Sequence, residues 1–110
     1  MVRCETPYDY LILAPGSDSN TFRTPGAREH AFFMRELGDA IAVRNQVIDC
    51  FERAARDTDL TRRRELLRFV IVGGGPTGVE LAAEVRELIV HVLMRRYPEV
   101  AAEEVEVVLV

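Results

Sequence analysis

Several common signals are missing from this sequence. It has no apolar run long enough to cross a bilayer and no signal-peptide pattern, so an intracellular setting is expected. No basic cluster lies beside aromatic residues and the net charge is −4, which argues against nucleic acid as a partner. The densest basic run, Arg62 to Arg64, is brief and is followed by Glu65, as on a solvated helix face. The two cysteines, Cys4 and Cys50, show neither metal-ligand nor redox spacing, and both are expected to be reduced packing residues. There is no internal repeat and no low-complexity segment. What remains is ordinary for a soluble globular chain: 48% hydrophobic and 29% charged residues over 110 positions, room for one small domain at most.

The sequence is organised around Phe69 to Glu80, Phe-Val-Ile-Val-Gly-Gly-Gly-Pro-Thr-Gly-Val-Glu. Phe69 to Val72 read as a short buried strand. Gly73, Gly75 and Gly78 fit G-x-G-x-x-G, the dinucleotide fingerprint, and a helical pattern begins at about Thr77. Each glycine has a physical reason. A strand turning sharply into a helix needs a residue without Cβ at Gly73. A pyrophosphate approaching the backbone needs none at Gly75. A helix packing closely on the strand needs none at Gly78. Free amides and the positive end of the helix dipole would then face the phosphates. The competing reading is a tight glycine turn that binds nothing. A triphosphate P-loop is rejected, because Val79 and Glu80 stand where Lys and Ser/Thr are required.

The remaining elements are read from periodicity. Residues 1–7 are polar and short of structure signals. Tyr8 to Ala14 predicts a strand, buried on both faces from Leu11 to Ala14 and stopped by Pro15-Gly16. Loop is expected to about His30, with Pro25-Gly26 a second turn and residues 31–34 a short apolar patch. A helix is predicted over Leu37–Arg56, with Ala40, Val43, Val47, Phe51 and Ala54 on one face and Asp39 in its first turn. Thr61 is the expected cap of a shorter helix reaching Arg68. The helix after the glycines should run from Thr77 to Arg96, with Leu81, Val85, Leu88, Val92 and Arg96 on one side, widened by Ala82, Ile89 and Leu93; Pro98 closes it. Val105 to Val110 is a final strand.

The order predicts an α/β fold, a partial doubly wound, Rossmann-like parallel sheet ending in a βαβ unit. Such a unit leaves strand edges and one sheet face uncovered, so the expectation is a piece of a longer protein. The acidic residue that binds the ribose lies at the tip of the second strand in such folds. That position would fall beyond Val110, and Glu103, Glu104 and Glu106 lie at the wrong end.

Two stretches together resemble the two-dinucleotide-binding-domain flavoproteins. Tyr8 to Gly16 is similar to that family's strand ending in Ala-Pro-Gly, which closes the FAD domain, and Gly73 to Glu80 is similar to its NAD(P)H fingerprint. Glu29 to Phe33 and Asp49 to Glu52 narrow the resemblance to type II NADH dehydrogenases, the single-subunit NADH:quinone oxidoreductases. The resemblance implies that residues 1–33 are the closing strand and exit loop of an FAD-binding domain. Residues 34–110 would be the first βαβ part of an NAD(P)H-binding domain. Gly73, Gly74, Gly75, Pro76, Thr77 and Gly78 would hold the NADH pyrophosphate. Glu80, in the first helical turn near the nicotinamide, is the candidate catalytic residue; its plainer reading is a dipole-complementing acid. Ala14, Pro15 and Gly16 would lie near FAD, or Pro15-Gly16 is simply a turn. His30 is left outside the site.

The implied reaction passes a hydride from NADH to FAD and then electrons to a quinone, the cofactors carrying the chemistry. NADPH stays open. The family's first glycine motif, its ribose acid and the C-terminal region that meets quinone and membrane are absent, so the isolated fragment is expected to be inactive. The resemblance leaves room for a homodimer and a peripheral place on a membrane. No cysteine falls between Cys50 and Gly73, which disfavours the thioredoxin-reductase-like branch. The alternatives are a flavin reductase of the apoptosis-inducing-factor or ferredoxin-reductase type and a non-catalytic nucleotide-binding fragment.

Overall fold

Hydrophobic spacing becomes structure only where it finds a partner, and the two parts of the chain differ in that respect. The structure, a computed structural model, describes residues 4–110. It divides into two units, Met1–Arg35 and Glu36–Val110.

The first unit is largely extended. Residues 8–14 do not form the expected strand. A strand exists through its ladder of N–H and C=O bonds, and these residues find no ladder partner among the described residues. Their apolar side chains face outward; Tyr10 and Ile12 are 94% and 90% exposed. Local polar bonds shape the loop that comes after them. Ser19 N–H donates to Asp18 Oδ1 at 2.8 Å and Phe22 N–H to Asn20 Oδ1 at 2.8 Å. Phe22 and Arg23 sit at φ of 50° and 61°, in the left-handed region. The expected loop around His30 is instead a single helical turn, α1 (Ala27–His30), entered through Gly26. Arg35 holds Asp18 at 3.0 Å on the surface.

The second unit carries the core. Helix α2 (Leu37–Arg56) has the predicted bounds. Its entry is tied by Asp39 Oδ2, which accepts the Glu36 N–H at 3.2 Å. Val47, Phe51 and Ala54 are buried on one face, and Cys50 is buried beside them. Cys50 is thus a packing residue, its thiol pushed up by burial, whereas Cys4 is exposed. Helix α3 (Leu60–Leu66) is capped by Asp59, not Thr61: Asp59 Oδ1 accepts the Thr61 N–H at 2.9 Å. It stops before Arg68 because that residue already belongs to strand β1 (Arg68–Ile71).

After the glycines the chain forms α4 (Pro76–Leu88), a wide π turn (Ile89–Leu93) and α5 (Met94–Arg96). Leu81, Val85, Ile89, Leu93 and Tyr97 turn inward as one row, and Leu88 and Met94 also pack on the core; Val92 is 52% exposed and Arg96 is also outside, contrary to expectation. The spacing explains the π turn. Five residues set strictly four apart drift by about 40° per step on a 3.6-residue helix, roughly 160° in all. An i→i+5 turn, closed by Met94 N–H on the Ile89 carbonyl, underwinds the helix and keeps Leu93 and Tyr97 on the core. A short 3₁₀ turn (Ala102–Glu104) leads into strand β2 (Glu106–Leu109).

Strands β1 and β2 pair in parallel, Arg68 opposite Glu106 and Ile71 opposite Leu109, as expected for the βαβ unit. Phe69 and Val107 share the face that packs on the core. Phe69 stacks on the fully buried Phe51 with ring centroids 6.3 Å apart, and Tyr97 lies 5.9 Å from Phe51. On the other face Val70, Val72 and Val110 are exposed, the uncovered face foreseen from the element order.

Candidate functional site

The site is the junction between the carboxyl end of β1 and the start of α4. The parallel ladder continues past the strands proper: Val110 N–H donates to the Ile71 carbonyl at 2.9 Å, and Gly73 N–H to the Val110 carbonyl at 2.7 Å. That last bond holds Gly73 as the chain leaves the sheet, at φ +116°, a conformation in which L side chains are strained. Gly78 has a different reason. A Cβ there would overlap the Gly73 carbonyl oxygen and come 3.5 Å from Leu109 Cδ1. The first turn of α4 therefore lies directly on the turn it grew from.

Gly75 differs from both. Its φ is −75°, which any residue adopts, and a Cβ would meet nothing within 4 Å. The fold itself does not demand a glycine at this position. Gly74 has the same open surroundings. Gly75 is the N-cap and Pro76 the first residue of α4, where a missing N–H costs nothing. The first helical bond runs from Val79 N–H to the Gly75 carbonyl at 3.1 Å. The amides of Thr77 and Gly78 precede that bond and have no acceptor among the described residues. Two free donors, the positive helix end and side-chain-free backbone at Gly74 and Gly75 together suit a phosphate.

Glu80 is exposed and is the fifth residue of α4, so it stands in the second turn and not in the first as expected. Helix-dipole effects fade beyond the first turn, and its dipole role is correspondingly weak. Ala14, Pro15 and Gly16 belong to the first unit, all exposed, with Gly16 at φ +78°. His30 closes α1 at the surface. Two surface hollows, about 190 Å³ beside Asn45 and Asp49 and about 490 Å³ beside Arg53 and Arg62, involve none of the glycines.

Two contributors were not foreseen. The Val110 carbonyl anchors Gly73, a backbone role that no residue type announces. Arg63 and Glu104 form a nearly buried bidentate pair: Arg63 Nε donates to Glu104 Oε2 at 2.7 Å and Nη2 to Oε1 at 2.8 Å. The guanidinium holds the Glu104 carboxyl below the usual carboxylate range. Their separation of 41 positions hid the pairing.

A family model described as pyridine nucleotide-disulphide oxidoreductase matches residues 3–108. The chain belongs to the pyridine nucleotide-disulphide oxidoreductase family. Within that family it is 53% identical over 95 residues to an Arabidopsis thaliana external alternative NAD(P)H-ubiquinone oxidoreductase, B4, mitochondrial, covering 84% of this chain and 16% of the relative. It is 42% identical over 106 residues to a probable NADH dehydrogenase of Dictyostelium discoideum, covering 96% of this chain and 24% of that one. Among solved structures it resembles NDH2 from Plasmodium falciparum in complex with NADH, at TM-score 0.82 and 31% identity, over 93% of this chain and 21% of that chain. The chain thus spans about a sixth of the length of its first curated relative. The α/β fold and the parallel sheet expected for this oxidoreductase family are those observed.

Proposed function

We propose that this chain is the pyridine-dinucleotide-binding part of an FAD-dependent NADH:quinone oxidoreductase of the type II NADH dehydrogenase kind. The observation that carries the reading is Gly75, glycine at a position where the fold has room and conformational freedom for a side chain. The absence of a side chain there is accounted for by a ligand that needs the backbone bare. Relatives named as NAD(P)H-ubiquinone oxidoreductases, and a structural neighbour in complex with NADH, support the choice of ligand and acceptor.

In this reading residues 1–33 close an FAD-binding domain, with Ala14, Pro15 and Gly16 on the flavin side. Residues 34–110 open the NAD(P)H-binding domain. Bound nicotinamide and flavin supply the hydride and electron chemistry that ends on quinone. The chain's residues supply position. Amides of the α4 first turn receive the pyrophosphate, Gly74 and Gly75 let it approach, and Glu80 lies toward the nicotinamide. NADPH is admitted as well as NADH, as in the relatives' names. The relatives' names support a mitochondrial setting, where a peripheral place on a membrane is part of this proposal; among the described residues no helix is long and apolar enough to cross one.

The test is Gly75→Val in the full-length protein, followed by stopped-flow reduction of flavin by NADH. The valine has space, so folding should change by no more than a weakened helix cap, roughly 0.5–1 kcal/mol. Two lost amide-to-phosphate bonds at about 1.5–3 kcal/mol each imply a KM for NADH raised on the order of 100-fold or more, with flavin content unchanged. An unchanged NADH dependence would remove the glycine turn from the reaction.

A further inference from the structure

The Gly73 anchor depends on the register of β2, and the side chains of β2 specify that register poorly. Its sequence from 105 to 110 is Val-Glu-Val-Val-Leu-Val, apolar on both faces. In the observed register Val70 lies opposite Val108 and Phe69 opposite Val107. Sliding β2 by two residues would place Val110 opposite Val70 and Leu109 opposite Phe69, again apolar against apolar. A slip of two keeps every side chain on its own face, so the hydrophobic pattern alone does not tell one pairing from the next. A slip in either direction would take the Val110 carbonyl away from the Gly73 N–H, the 2.7 Å bond that holds the turn.

Polar groups at the start of the ladder break the ambiguity. Arg63 stands four residues before Leu67, whose carbonyl accepts the Glu106 N–H at 3.0 Å, the first bond of the ladder. Glu104 stands two residues before Glu106. The Arg63 guanidinium grips both Glu104 carboxylate oxygens, and its Nη2 also donates to the Glu99 carbonyl at 2.6 Å. Glu104 Oε1 accepts the Ala101 N–H at 3.1 Å. The residues entering β2 are thereby fixed to the helix that enters β1 by a fork whose planar, two-point geometry does not tolerate displacement. Arg68 and Glu106, opposite each other at 3.0 Å, repeat the charge match one step along, but in solvent.

We propose that Arg63 and Glu104 are positioning residues that set the β1–β2 register and so hold the glycine turn in its ligand-receiving form. The geometry stands by itself; only the consequence for NADH rests on the dinucleotide reading of the turn. The experiment uses the full-length protein with Glu104→Gln, which keeps the shape and removes the charge, and Arg63→Leu, which removes the fork. Amide exchange at Gly73 and at Phe51 is followed together with flavin content and the NADH kinetics. Glu104→Gln is expected to accelerate exchange at Gly73 relative to Phe51 by about tenfold, the equivalent of ~1.4 kcal/mol. KM for NADH should rise by about the same factor with kcat and flavin content kept. Exchange that quickens equally at Gly73 and Phe51, or not at all at Gly73, would overturn the proposal, since the pair would then stabilise the fold without directing the turn. Selective loosening of Gly73 with unchanged KM would uphold the register role and count against the dinucleotide reading instead.

Discussion

Residues 8–14 and 68–71 present the same kind of signal, a short apolar run closed by proline or glycine, yet only the second is a strand. Arg68–Ile71 has β2 to pair with and Phe51 beneath it. Residues 8–14 have neither among the described residues, and their large side chains stand in solvent. An apolar run thus states that a segment can be a strand, and its partner decides whether it is one. The largest test of this difference is a pair of truncations. Phe51→Ala should cost about 3–5 kcal/mol, because a fully buried ring in contact with Phe69 and Tyr97 leaves a cavity. Ile12→Ala should change stability by no more than about 0.5 kcal/mol. Denaturant midpoints on the 110-residue chain decide the matter, and comparable losses at the two positions would mean that the first unit has a core of its own.

Two of the ion pairs repeat the contrast at smaller scale. Arg35–Asp18 is open to water, with the Asp18 side chain 82% exposed, whereas Arg63–Glu104 is nearly enclosed, at 13% and 12%. Both carboxyls are held below their ordinary values, Asp18 chiefly by the Ser19 amide and then by Arg35, Glu104 chiefly by the Arg63 hydrogen bonds against an opposing effect of burial. For Glu104 the folded value lies below the unfolded value near 4.5, so the unfolded chain binds the extra proton on acidification. Its contribution is complete above that unfolded value and is lost as pH falls through the folded one. Hydrogen bonds to a charged group of this kind are worth about 1.5–3 kcal/mol. Arg63→Leu should therefore remove part of the drop in stability that the unsubstituted chain shows as the pH falls below 4.5. Asp18→Asn should leave that drop nearly intact, because an exposed pair adds little. Parallel pH profiles for Arg63→Leu and the unsubstituted chain would refute the assignment.

Much of the second unit was legible because its spacing is unambiguous. Residues 37–56 repeat apolar positions every three or four, and the helix has those bounds. The strand–glycine–helix order and the parallel pair were likewise written in the change from continuous to helical apolar patterns. The inner face of the second long helix was only half legible. Leu88 packs on the core as read, but Val92 fits an ideal helix as well as Leu93 does, and the π turn that chooses between those two is a response to packing. At the glycine turn, the need for Gly73 and Gly78 was readable from the motif. That Gly75 is not needed by the fold was visible only once its φ and its empty surroundings were known. The Arg63–Glu104 pair had no local signature, and Asp59 displaced Thr61 as a cap because its carboxylate, one residue before the helix, reaches the Thr61 amide directly.

Backbone strain separates the two units once more, and there the smallest effect is expected. Phe22 and Arg23 are the two non-glycine residues with positive φ among the described residues, and both lie in the first unit. Nothing in the contacts of Arg23 offsets the strain: it is exposed, and its side chain makes no hydrogen bond or ion pair among the described residues. Left-handed backbone costs an L residue about 1–2 kcal/mol. Glycine removes that cost but adds about 0.5–1 kcal/mol of unfolded-chain entropy to be lost on folding. The net expectation for Arg23→Gly is a gain of about 0.5–1 kcal/mol, felt as slower local opening. Limited proteolysis across residues 17–26 reads that opening directly, and the same assay across α2 reads Arg44→Gly, the control with the opposite sign. There φ is helical and glycine should cost about 1 kcal/mol. If Arg23→Gly cleaves faster than the unsubstituted chain, the left-handed turn is not where the first unit stores strain.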